Sequence, residues 1–206
     1  MLVQPGYAMR SMSEVRRTIA AGGWAILTTH GPAGLRAAHL PCLLDPEHDR
    51  GGDAEELVIL GHIARADPQY LDGEVLLVFQ GPHGYVSAAW YETDPFVPTW
   101  NYIAVHVTGV PELLDGREAF AVLERTVEHF EARRERPWRL EGVPREYAER
   151  IQGGVVAFRL RATRVEAKAK LSQDKAPEVR DRVIAALERP GPYRAPELAD
   201  EMRRVN

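Results

Sequence analysis

Sulfur is scarce in this 206-residue chain, which holds one cysteine, Cys42, and four methionines. A single cysteine excludes an intrachain disulfide and any cysteine-built metal cluster. Its place in the apolar run Leu40-Pro41-Cys42-Leu43-Leu44 reads as a buried structural thiol. No apolar run approaches the length of a membrane span. Residues 1–10 lack the basic-then-apolar order of a secretory signal, so the expected location is cytoplasmic. Cationic excess is missing too: the formal net charge is −4 and the isoelectric point about 6.0. Proteins held on DNA by phosphate contacts usually carry a basic patch or stripe, so charge lends DNA binding no support. No P-loop, GxGxxG, HExxH or Ser-His-Asp pattern is legible. No metal ligand and no catalytic residue is therefore assigned, and the acids Asp67, Glu92 and Asp94 stand at no fixed separation.

What is present is ordinary globular composition, 45% hydrophobic and 27% charged, in a length that buries one sizeable core. Ser13 is placed to cap a short helix ending near Ala21 at Gly22-Gly23. Val15 and Ile19 lie on one side of it and Arg16 and Arg17 on another. Residues 24–30 and 35–44 are rich in β-formers and flank Gly31-Pro32-Ala33-Gly34, which predicts a hairpin. Pro41 marks an edge or bulge in it. Residues 45–54 read as a polar loop open to insertion. Further strands are expected over 56–62, 74–80, 85–87, 100–111 and 155–165, with Gly81-Pro82-His83-Gly84 as a turn. Strand 74–80 is nearly all apolar, hence buried on both faces. Strand 155–165 alternates Val156, Phe158 and Leu160 with Arg159 and Arg161, one face buried and one wet. In strand 100–111, Ile103, Val105 and Val107 share a face. Phe120, Leu123, Val127 and Phe130 define an amphipathic helix near 116–134. A second helix is expected over 144–152, and two short helices over 178–206. Strands joined by hairpins with few helices between them argue α+β, an antiparallel split β-barrel with peripheral helices. The barrel is expected over 1–173 and the helical extension over 174–206.

Several strings, taken in order, resemble the PaiB family of FMN-binding negative transcriptional regulators. They are Gly61-His62-Ile63-Ala64-Arg65-Ala66-Asp67-Pro68-Gln69, then Phe79-Gln80-Gly81-Pro82-His83-Gly84-Tyr85-Val86-Ser87, then Ala89-Trp90-Tyr91. Val97-Pro98-Thr99-Trp100-Asn101-Tyr102, Val105-His106-Val107 and Lys168-Ala169-Lys170-Leu171-Ser172-Gln173 follow, and Ala38-His39-Leu40-Pro41 also fits. The family's fold is similar to that of pyridoxamine-phosphate oxidase and other split barrels. The resemblance implies FMN as cofactor and a homodimer with the flavin in a cleft between subunits.

The resemblance implies a cofactor site made of Ala38, His39, Leu40, His62, Ala64, Arg65, Trp100, Asn101, Tyr102 and Lys170. Arg65 follows a strand and precedes a helical turn, where a guanidinium beside exposed backbone N–H groups suits a phosphate dianion; the plainer reading is a surface arginine paired with Asp67 or Asp72. His39 and His62 offer donor or acceptor to a flavin edge, or are half-buried histidines bonded to backbone; ligation of a haem iron is a minor alternative. Trp100, Asn101 and Tyr102 stack near a ring, or form a core or interface cluster. Lys170, with Lys168, suits a phosphate or a carboxylate, or ends a strand in solvent. The loop 91–98 covers a ligand or simply packs. The C-terminal helix pair reads as a packing or dimerisation hairpin rather than a DNA reader, because its second helix is acidic at the start. Three functions stay open on these residues: a flavin-binding regulator, a flavin-dependent oxidoreductase using the same cleft, and an interaction protein with a degenerate site.

Overall fold

The computed structural model describes residues 1–32 and 34–205, and of Arg145 the backbone alone. Helix α1 (Met12–Gly22) is capped by Ser11, whose Oγ accepts the Glu14 N–H at 3.3 Å. Ser13, the expected cap, lies inside the helix and gives its N–H to Asp53 Oδ1 instead. The helix stops at Gly23, which turns left-handed at φ +60° and donates to the Ile19 carbonyl at 2.9 Å. A Cβ there would stand 2.7 Å from the His129 ring, so only glycine fits.

Eight strands form one sheet. They are β1 (Trp24–Gly31), β2 (Gly34–Leu44), β3 (Val58–Ala64), β4 (Val75–Val86), β5 (Thr99–Gly109), β6 (Pro111–Leu114), β7 (Val155–Arg161) and β8 (Arg164–Lys170). Their order is β6-β7-β3-β2-β1-β4-β5-β8. The ladders β1–β2, β1–β4, β2–β3, β3–β7 and β6–β7 are all antiparallel. Four further helices complete the described chain: α2 (Gly116–Glu131), α3 (Arg145–Gly153), α4 (Pro177–Glu188) and α5 (Pro196–Arg204). The chain separates into two compact units. One comprises Ser11–Phe79 and His106–Val165; the other comprises Met1–Arg10, Gln80–Val105 and the segment from Glu166.

In the first unit, α2 lays Ala119 and Val122 against Leu60, Leu114 and Ala157. That cover explains a departure from the expected strand. Residues Ala157 to Leu160 of β7 are all buried, Arg159 included, because α2 occupies the face that alternation left to solvent. Arg159 stays charged there by donating from Nε to Asp45 Oδ2 at 2.8 Å and from Nη2 to Glu118. Asp45 also accepts from the Glu47 N–H and from His48 Nδ1, both at 2.9 Å. Arg16, expected on the wet side of α1, is buried too. It grips Asp49 and the carbonyls of Gly52, Ala54 and Glu56. The polar stretch 45–54 is thus tied down from two sides, since a buried arginine needs its five N–H groups satisfied.

In the second unit, Val86, Ile103, Leu171, Val183, Leu187, Leu198 and Met202 build a core beneath the α4–α5 hairpin. Strand β4 runs unbroken through residues 81–84, where a turn was expected. Its glycines serve packing: a Cβ on Gly81 would meet Ile103 Cβ at 2.9 Å, and one on Gly84 would meet Leu198 at 3.0 Å. The first half of β4 alternates buried and half-buried positions rather than burying both faces. The expected strand over 155–165 divides into β7 and β8, separated by Ala162 and Thr163, whose N–H groups bond Leu57 and Thr108.

Candidate functional site

The β2–β3 ladder is short. It pairs Cys42 with Gly61, Leu43 with Leu60 and Leu44 with Ile59, and ends there. The reason is Pro41. Cys42 points its N–H toward the β1 side, donating to the Gly23 carbonyl at 3.0 Å, so alternation turns position 41 toward β3. Proline has no N–H to give. Beyond this point β2 continues paired to β1 alone, through Leu40↔Ala25, His39↔Ile26 and Ala38↔Leu27. β3 continues paired to β7 alone, through His62↔Ala157, Ile63↔Val156 and Ala64↔Val155. The sheet therefore opens between residues 38–40 and 62–64, and presents two strand edges without ladder partners.

His62 sits at that opening. Its Nδ1 is buried with no hydrogen-bond partner among the described residues, and burial pushes its pKa below the usual histidine value. The ring is therefore neutral at pH 7, with one donor and one acceptor. His39 is exposed, Ala38 half-buried and the Leu40 side chain buried, so Leu40 can offer a ligand only backbone. At the end of β3, Arg65 is exposed and oriented. Its Nε donates to the Gly153 carbonyl at 2.7 Å and its Nη2 to the Val155 carbonyl at 2.8 Å. Neither Asp67 nor Asp72 pairs with it, and Nη1 has no partner among the described residues. The segment after it is a single 3₁₀ turn, Pro68–Leu71, too short to contribute a helix dipole. A second cation escaped the sequence reading. Arg36, on β2, stands 6.0 Å over the ring of Tyr70 in that turn; its only signal was a charge on an otherwise apolar strand.

The remaining expected residues lie in the other unit. Trp100 is exposed, its ring packed edge-on to Tyr85 at 6.1 Å. Asn101 is fully buried and donates to Ser172 Oγ at 2.9 Å, while its Oδ1 has no partner among the described residues. Tyr102 faces the ammonium of Lys168 at 5.5 Å. Lys170 donates to Thr99 Oγ1 and lines a pocket of its own. No cluster of three or more His, Cys, Asp or Glu among the described residues is arranged to hold a metal.

An antiparallel eight-stranded sheet that opens between β2 and β3 is an antiparallel split β-barrel. Solved structures share this fold. A FAD and heme binding protein from Mycobacterium smegmatis superposes with a TM-score of 0.57 at 16% identity, over 87% of this chain and 80% of that one. The flavocytochrome Anf3 from Azotobacter vinelandii gives 0.55 at 16% identity, over 79% and 69%. The chain belongs to the family described as "Putative FMN-binding domain", which it matches over residues 1–164. It is 32% identical over 170 residues to the protease synthase and sporulation protein PAI 2 of Bacillus subtilis, covering 81% of this chain and 79% of that protein. The PaiB resemblance read from the sequence strings holds. FMN is the cofactor of this family, and the residues at the opening fit it: an anchored guanidinium for the phosphate, free strand edges and an orphaned imidazole nitrogen for the polar rim of the ring.

Proposed function

We propose that this chain is a homodimeric flavoprotein that holds FMN at the β2–β3 opening and acts in negative control of transcription. The observation that carries the flavin assignment is the unpaired gap itself. Arg65 receives the phosphate, and Arg36, over the Tyr70 ring in the turn after β3, adds a second cation on the same strand pair. Backbone groups of residues 38–40 and 62–64, with His62 and His39, meet the ring edge. Asn101 and Tyr102 brace β5. Bound FMN supplies hydride and electron chemistry. The protein's part is to anchor the phosphate, orient the ring and shield His62 in its neutral form.

The dimer is supported by the outer face of the β1–β2 hairpin. Trp24 and Leu35 are 52% and 82% exposed there, on one face with Ile26, Ala37 and His39 by the cross-strand register. Exposed apolar residues at both ends of one hairpin face favour an interface there. The transcriptional role rests on the resemblance and operates through a partner rather than a reading helix. α5 starts on Pro196-Glu197, and its basic Arg203 and Arg204 are bonded to Asp200, Glu188 and Glu201. The decisive experiment is titration of the protein with FMN, followed by absorbance and flavin fluorescence. Wild type is expected to bind saturably, and Arg65→Met to weaken binding at least tenfold. Equal affinity in the two would remove Arg65 from the site. A gel shift with purified protein alone is expected to show no sequence-specific band.

A further inference from the structure

The second unit contains a pocket of about 260 Å³ that the flavin reading does not use. One wall is apolar, made by Phe96 with its loop neighbours Pro95 and Val97. The polar lining is made by Tyr7, Thr99, Lys170, Asp174 and Lys175. Its charge is unbalanced. Lys175 pairs with Asp174 at 2.7 Å and stands 4.5 Å over the Phe96 ring. Lys170 is half-buried, bonds only the neutral hydroxyl of Thr99, and has no carboxylate partner among the described residues. Two residues back on the same side of β8, Lys168 is 7% exposed. It is held by Gln4 Oε1 at 2.9 Å and the Leu2 carbonyl at 3.4 Å, between the rings of Tyr7 and Tyr102. It too lacks a carboxylate. Cations kept from water without a counter-charge are destabilising unless a ligand supplies one.

The pocket floor is fixed in advance. Ser172 adopts a left-handed φ of 60°, a conformation uncommon for any residue but glycine. It is held there by the Asn101 amide on its Oγ and by the Lys175 N–H on its carbonyl at 3.0 Å. The Gln173 side chain staples the same turn, accepting the Leu171 N–H at 2.7 Å and donating to the Ala169 carbonyl at 2.6 Å. On the far rim, Arg182 donates to the Tyr91 carbonyl at 3.1 Å and so anchors the start of the 91–98 loop.

We infer that this pocket binds a small organic monocarboxylate with a flat apolar body, its carboxylate on Lys170 and its body against Phe96. The two ammonium groups of the lining against one carboxylate leave a single positive charge, which matches a monoanion. At roughly 30 Å³ per water-sized group, the volume takes on the order of ten non-hydrogen atoms. Thr99 offers a hydroxyl beside the Lys170 ammonium, while the Tyr7 hydroxyl is bonded to Asp174.

The test uses the full chain, with benzoate as probe, benzamide as its uncharged isostere and inorganic phosphate as a bare anion, read by calorimetry and by tyrosine fluorescence. Benzoate is expected to saturate, with at least tenfold weaker binding in Lys170→Met and in Phe96→Ala. Benzamide and phosphate are expected to bind at least tenfold more weakly to wild type. No saturable benzoate binding would overturn the inference, as would benzamide matching benzoate or phosphate outcompeting it. The wild-type comparison stands even if a variant fails to fold. FMN titrations on the same samples separate the two sites: a Lys170→Met loss of FMN affinity in proportion to the benzoate loss would merge the pocket with the flavin site and refute a second site.

Discussion

Asp45 shows how much one side chain can hold in place. It is fully buried, and its carboxylate gathers Arg159, His48 and the start of the 45–54 loop. Burial pushes its pKa up, but the Arg159 hydrogen bond and the other donors outweigh that and leave it below the usual aspartate value. A carboxylate depressed in the folded state stabilises the protein above its unfolded pKa of about 4, and that contribution disappears as pH falls through the folded value. Asp45→Asn is therefore expected to destabilise by about 3 kcal/mol at pH 7, because Arg159 is left buried without its main counter-charge. It should also flatten the acid limb of a urea-unfolding series run from pH 6 to pH 3. His62 carries the same sign in a higher pH window. Burial lowers its pKa, so the unfolded chain binds the proton more tightly, and stability should fall as pH drops below about 6.5. His62→Gln should remove that slope while leaving stability at pH 8 nearly unchanged, in the same unfolding series.

At the scale of elements, two small residues shape the β2–β3 region. Pro41 withholds the N–H that would carry the ladder one pair further, so Pro41→Val is expected to zip the opening toward His62. The outcome to look for is FMN affinity lowered at least tenfold with no loss of thermal stability. Gly61, one pair inside the ladder, leaves no room for a side chain: a Cβ would fall 2.5 Å from Phe158 and 3.1 Å from Cys42 Sγ. Gly61→Ala should cost about 1–3 kcal/mol by overpacking, partly restored by Phe158→Leu in the same background, as denaturant midpoints would report. Much of the element plan was legible. The alternation of Ile103, Val105 and Val107 declares itself within one segment; the helical period placed α2 but not its buried face, which is Ala119, Val122 and Leu123 while the expected Phe130 is exposed. Residues 81–84 misled because Gly-Pro and Gly are local turn-formers; only Ile103 and Leu198, distant in sequence, reveal them as close-packing sites. Arg16 and Arg159 looked wet for the same reason, since their partners stand 33 and 114 residues away. Of the candidate site, Arg65 and the two histidines could be picked out from strings. Arg36 and the gap could not, because an opening is a property of two strands and neither carries it alone.

For the molecule as a whole, the family supplies the cofactor and the fold supplies its berth, while the second pocket gives the chain somewhere to receive another small molecule. A flavin-dependent oxidoreductase that uses the flavin cleft itself is the second reading. Nicotinamide-dependent bleaching of bound FMN, measured at its visible absorbance band, would be the sign of it. Assembly is testable directly. Leu35→Glu puts a charge into the exposed apolar face of the hairpin and is expected to halve the mass seen by light scattering, without unfolding the protein.

Cys42 lies sealed between β2 and β3, fully buried, with burial raising its thiol pKa far above the reactive range. The chain is in effect blank to maleimide chemistry while folded. A dye attached through Glu55→Cys, an exposed position outside the hairpin, would be the sole label on each copy. Depolarised emission between two such dyes would report pairing in solution at concentrations far below those that scattering requires.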